Sequence, residues 1–323
     1  MAFSIIFFLL IGLVIIWLLI LKYDTTFLLA NGIYNSANKL EAKIANLKHY
    51  STWSETFNLQ THYLSNVEKF DNNKPIIVLL HGFSADKYIW NRICKKLIKK
   101  YQLFCPDLLG HGDVIYRPTD KYSVPEQVRF LIDMIDHLNI QKFHIIGNSM
   151  GGLMAAKMLE RCPERIRKSV LIDPAGIRSD FSLEMAKTNQ NPFNHYNEKD
   201  FFYFYDLVMT KPPYLPKFIL RAIANRYIGK REQYVHMFRD FFNPEDFFDI
   251  THEIPVFNIW EAAYRLNQTA KYWPSRTVFV SVVDPGVGTN RKSVVLKTKS
   301  GHYFVSPDNG SLTLVAEKLG IAE

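Results

Sequence analysis

Gly147-Asn148-Ser149-Met150-Gly151 sets one serine between two glycines in a G-x-S-x-G pattern. The apolar run Phe143-His144-Ile145-Ile146 precedes it and a helical pattern follows. A strand-to-helix turn this tight lifts the serine hydroxyl above the sheet, and small neighbours let strand and helix close up. The N-terminus of the following helix favours negative charge. That combination suits attack on a carbonyl carbon, with the developing oxyanion held by backbone N–H groups. The expected donors are the N–H of Phe83, in the loop His81-Gly82-Phe83, and that of Met150.

Such a serine needs a histidine to take its proton and an acid to orient that histidine. His302, in Lys299-Ser300-Gly301-His302, is the candidate base. Asp284 ends the apolar run Thr277–Val283, eighteen residues before it, and is one candidate acid. Asp173, at the end of Ser169-Val170-Leu171-Ile172, is the other. His81 reads as a structural loop histidine. Asp107 and His111, in Asp107-Leu-Leu-Gly-His-Gly-Asp113, are expected to fix that loop through hydrogen bonds.

The elements that must hold these residues alternate. The segments PIIVLLHGF (75–83), YQLFCPDLLGHG (101–112), FHIIGNSMGG (143–152) and KSVLIDPAG (168–176) each read as a strand ending in a loop or turn. Stretches of helical spacing lie between them, such as Val124–Leu138 with Pro125 in its first turn. Strand–helix alternation predicts an α/β fold with a parallel sheet covered by helices on both faces. From Arg178 to about Phe248 the pattern turns helical and aromatic, which predicts a cap.

The motifs HGF, DLLGHGD, GNSMGG and LIDPAG together resemble the α/β-hydrolase superfamily over about residues 55–248, with the cap at about 178–248. The likeness is greatest to membrane-anchored monoacylglycerol lipases and esterases. It implies a serine carboxylesterase or lipase that forms an acyl-enzyme on Ser149, acts on a lipid or other acyl ester, and needs no metal or organic cofactor.

The tail has a different character. Asp249–Ile254, Val282–Lys292 and Ser306–Leu314 resemble consecutive motifs of the S-adenosylmethionine hydroxide adenosyltransferase family, relatives of the SAM-dependent chlorinases and fluorinases. Asp284 and Arg291, seven residues apart, match that family's D-x-G-V-G-x-x-R. The family's opening segment and later histidine motif have no counterpart here, so residues 249–323 read as a truncated fragment that should not cleave SAM. The chain thus reads as two truncated genes joined near residue 249. The expected consequences are a hydrolase impaired by loss of its usual acid and histidine, or a dead fold that at most binds acyl ligands. The tail is expected to pack imperfectly or separately.

Composition bounds the rest. The chain has 323 residues, 48% of them hydrophobic, which excludes a disordered protein. The net charge of +8 is scattered and no nucleic-acid motif accompanies it. Its three cysteines show no CxxC spacing, so neither a zinc site nor a disulfide scaffold is expected. Phe3–Leu21 holds nineteen residues without a charge. At helical rise that spans about 28 Å, enough for a single-pass transmembrane anchor. Lys22, Lys39, Lys43 and Lys48 follow it and would keep the body cytoplasmic. Residues 22–54 are expected to include an amphipathic juxtamembrane segment.

Overall fold

The computed structural model describes residues 25–176, 191–208, 215–242, 258–281, 283 and 291–323. The apolar run 3–21 and Asp284 therefore lie outside the described residues. The chain divides into two compact units, one of residues 1–40 with 192–232 and one of residues 41–191 with 233–323.

The larger unit is built on one sheet. Its strands are β1 (Lys48–Ser54), β2 (Leu59–Ser65), β3 (Ile76–Leu80), β4 (Gln102–Pro106), β5 (Phe143–Asn148), β6 (Ile166–Ile172), β7 (Thr277–Val280), β8 (Ser293–Lys297) and β9 (Tyr303–Pro307). Their spatial order is β1-β2-β4-β3-β5-β6-β7-β9-β8. The neighbours from β4 through β3, β5, β6 and β7 to β9 are all parallel. The pairs β1–β2, β2–β4 and β8–β9 are antiparallel. Strand β3 is buried at every position, as a central parallel strand covered on both faces must be.

Helices α2 (Asn91–Leu97), α3 (Val124–His137) and α4 (Met150–Arg161) follow β3, β4 and β5. In α3 the buried residues Val124, Val128, Leu131 and Ile135 recur every three or four positions and form one inward stripe. Later in the chain come α7 (Arg231–Phe241), α8 (Ile259–Ala270) and α9 (Thr313–Leu319).

The tail does not stand apart. Strand β7 pairs in parallel with β6, Ile172 opposite Val280, and β9 continues from β7 with Val280 opposite Val305. A cluster of Ala270, Phe279, Leu296, Phe304, Leu312 and Val315 gives these strands their own core. The Phe279 and Phe304 rings stack with centroids 5.0 Å apart. The expectation of separate packing is corrected here. A buried sheet leaves unpaired N–H and C=O groups at the free edge of β6, and any strand of suitable apolar alternation satisfies them.

The smaller unit contains α1 (Thr25–Ile44) up to Leu40, with α5 (Glu198–Val208) and α6 (Lys217–Gly229). Ala30, Ile219 and Ala222 form its buried contact. Around His195, the rings of Phe201, Phe204 and Tyr227 lie with centroids within 5.9 Å. No helix among the described residues is long and apolar enough to cross a membrane.

Candidate active site

Ser149 sits between β5 and α4 with φ 51° and ψ −117°, a conformation that costs a non-glycine residue about 1–3 kcal/mol. Its neighbours hold it there. The Ser149 N–H donates to Ile172 O at 3.0 Å, and the N–H groups of Gly152 and Ala175 both donate to Ser149 O at 2.9 Å. Two glycines are obligatory for this closeness. A Cβ on Gly147 would lie 2.0 Å from Gly151 O, and one on Gly151 would lie 2.3 Å from Leu80 O. The G-x-S-x-G spacing is therefore a packing requirement between β5, α4 and β3. The serine is left half-buried at the C-terminal edge of the sheet.

The loop after β3 runs alongside. A Cβ on Gly82 would lie 3.3 Å from Ser149 Cβ, so the His81-Gly82-Phe83 backbone passes next to the serine. Met150 opens α4, and a first-turn N–H has no intrahelical acceptor. The Phe83 ring is buried against Tyr234, Phe238 and Phe241 of α7, with centroids 5.6 to 6.1 Å away. These aromatics give the serine's surroundings an apolar wall.

His81 is not a base. Its Nε2 accepts the Leu108 N–H at 3.0 Å, so the proton is on Nδ1, which donates to Gly82 O at 2.8 Å. Complete burial holds its pKa below the ordinary histidine value. His111 lies over the same loop, its Nδ1 3.0 Å from Leu109 O. Beneath the loop, the buried Lys87 ammonium meets Asp107 Oδ2 at 2.5 Å and Asp113 Oδ2 at 2.6 Å. Asp107 also accepts the N–H groups of Lys87 and Asp113 at 2.9 Å. Burial alone would lower the Lys87 pKa, but the two carboxylates outweigh it and raise the pKa.

Residues 75–211 match the alpha/beta hydrolase fold family. Over those residues the chain has the alpha/beta-hydrolase fold. Residues 239–323 match the SAM hydroxide adenosyltransferase N-terminal domain. Over 159 residues the chain is 35% identical to Lipase 3 of Moraxella sp. (strain TA144), covering 48% of this chain and 50% of that protein. Over 140 residues it is 31% identical to monoacylglycerol lipase ABHD6 of Homo sapiens, covering 40% and 42%. The chain spans about half the length of the curated lipases it matches. Its tail is 58% identical over 73 residues to (R)-S-adenosyl-L-methionine hydrolase of Methanocaldococcus jannaschii, covering 23% of this chain and 27% of that protein. Among solved structures, a membrane phospholipase A shares the fold with a TM-score of 0.65 at 25% identity, over 84% of this chain and 81% of that one. Residues 1–238 alone could not supply 84% of the chain, so the structural likeness extends into the tail.

In the hydrolase domain, Asp173 directly follows β6 and so adjoins Ser149, whose N–H is bonded to Ile172 O. Its φ is 40°, and desolvation raises its pKa although the residue is exposed. His302 is elsewhere. It precedes β9, at the opposite end of the sheet from the serine. Ser149 is level with Asp173, Ser281 and Ser306 across the strands, which puts His302 four residues lower and three strands away. With strand spacing of 4.8 Å and 3.3 Å per residue, the two are separated by roughly 20 Å. His302 Nε2 lies 3.0 Å from Trp273 O and its Nδ1 2.8 Å from Ser300 Oγ. The expected Ser149–His302 pair is thus corrected: a histidine N-terminal to a parallel strand cannot reach a serine C-terminal to another. The loop after β9 carries Asp308, Asn309 and Gly310 instead. Among the described residues, no histidine is hydrogen-bonded to the Ser149 hydroxyl.

Arg291, the partner of Asp284 in the tail motif, is exposed, and its Nη1 donates to Asp308 O at 3.2 Å. Its matching acid, Asp284, lies outside the described residues. One group that sequence reading missed is His49, His62 and Asp113, whose ligand-type atoms lie within 4.8 Å of one another. The two imidazoles stack face to face at 5.3 Å, and burial holds both pKa values down. Asp113 is already held by Lys87. Only the pairing of β1 with β2 brings the two histidines together, so spacing carried no signal for them.

Proposed function

We propose that this chain is a membrane-anchored serine hydrolase of the lipase or esterase class whose turnover is impaired. The observation that carries the reading is the strained Ser149 on a sterically obligatory elbow, beside the Gly82–Phe83 backbone. Ser149 Oγ would attack the carbonyl carbon of an acyl ester. The Phe83 and Met150 N–H groups would bind the oxyanion, and collapse would expel the alcohol and leave an acyl-enzyme. Phe83, Tyr234, Phe238 and Phe241 favour an apolar acyl chain, and the named lipases fit such a substrate. Residues 3–21 would supply the anchor.

A base within reach of Ser149 is missing from the described tail. A serine in an oxyanion site without its histidine loses several orders of magnitude in rate. The position of His302 therefore favours a second reading as well, a fold that binds acyl esters with little or no turnover. Fluorophosphonate labelling of the full chain tests both. Weak labelling that disappears in Ser149→Ala and is unchanged in His302→Gln is the expected result. Labelling abolished by His302→Gln would refute the impairment. Labelling that persists in Ser149→Ala would refute the nucleophile.

A further inference from the structure

Helix α1 leaves four large aliphatic side chains exposed. Ala30 and Ala42 are buried, whereas Leu29, Ile33, Leu40 and Ile44 are 67%, 52%, 57% and 55% exposed. At 100° per residue these four aliphatics fall in one stripe about 60° wide. A helix with only water on that side would show the opposite arrangement. Each aliphatic left in water forgoes the stabilisation that burial would give it. The exposed Lys39 and Lys43 flank the stripe on one side, and Lys48 follows the helix. In sequence, α1 begins at Thr25, three residues after the nineteen uncharged residues 3–21.

We propose that this stripe is a lipid-contact surface, lying along an anionic bilayer with Leu29, Ile33, Leu40 and Ile44 among the upper acyl chains. Lys39 and Lys43 reach the lipid phosphates while their stems stay beside the apolar stripe. At 20 residues the helix is about 30 Å long, so the stripe holds it in the membrane plane rather than across it. The inference rests on α1 itself and does not depend on the chemistry at Ser149.

The test uses the full chain in vesicles of phosphatidylcholine with phosphatidylglycerol. An environment-sensitive fluorophore is attached at Ile33→Cys or Leu40→Cys, with Lys318→Cys on α9 as the control. Cys94, Cys105 and Cys162 are buried, so the introduced thiol takes the label. The expected result is blue-shifted emission at positions 33 and 40 that is quenched by nitroxide-bearing lipids, with the control unaffected. Adding Lys39→Glu and Lys43→Glu should reduce the shift. Vesicle-bound protein with water-like emission at both positions overturns the proposal and leaves the anchor standing. A blue shift that rises with protein concentration and ignores nitroxide lipids overturns it in favour of a second copy. Protein that stays off the vesicles overturns both the stripe and the anchor.

Discussion

At the C-terminal edge of the sheet, β3, β5 and β6 end in loops bound to one another, while β7 and β9 end in loops that bring no described histidine to the serine. In the first region every close approach is specified. Gly147 and Gly151 have no room for a Cβ, Ser149 is fixed by Ile172 and Ala175, and the His81 and Asp107 side chains fasten the flanking loops. In the second region the strands meet only generic demands. They alternate apolar residues, pair in register and bury Phe279 and Phe304. A sheet edge accepts any compatible strand, whereas a catalytic constellation needs one particular side chain at one particular end. Strand pairing is thus far more permissive than site assembly.

The strongest test of this contrast is Gly147→Ala. The added methyl would sit 2.0 Å from Gly151 O, and the expected outcome is loss of soluble folded protein. Next is Lys87→Met, which leaves the buried Asp107 carboxylate without its cation. Denaturant unfolding should show a loss of about 3–5 kcal/mol. Phe304→Ala, in the tail core, should cost about 3–5 kcal/mol. It should shift one cooperative transition shared with the hydrolase domain. A separate early transition of the tail would break the comparison, because the tail would then not be part of the same folding unit. Ser149→Gly should stabilise by about 1–3 kcal/mol, because glycine carries no penalty at φ 51°.

The smallest effect is the pH dependence of the Lys87 network. Burial would raise the Asp113 pKa, but the hydrogen bond from Lys87 and its charge hold it below the ordinary carboxylate value. That contribution is present above the unfolded carboxylate pKa and is lost as pH falls through the folded one. Asp113 is half exposed, so solvent screening keeps the acid loss modest. Lys87, with its pKa raised, contributes below the unfolded lysine pKa, and that stability is lost as pH rises through its folded value. Unfolding midpoints measured across pH should decline at both extremes, and Lys87→Met should flatten both declines.

Much of the hydrolase domain was legible in the chain. Periodicity marked β3, β5, β6 and α3, and the elbow was readable because its constraint is local: five consecutive residues must turn from strand to helix without a side chain at two positions. The likeness of the tail to another family was equally legible, for it too is carried by contiguous motifs. What spacing could not convey was which end of the sheet a residue occupies. His302 follows Asp284 at an interval that suits a triad, yet it precedes its strand where a catalytic histidine must follow one. Nor could sequence mark Lys87 as a buried cation among many lysines, join His49 to His62, or show that α1 points Leu29, Ile33, Leu40 and Ile44 away from the protein. Local chemistry is written in neighbouring residues, and the sequence determined it. Strand direction, burial and the partners gathered from distant segments arise only when the chain closes on itself, and the tertiary structure decided those.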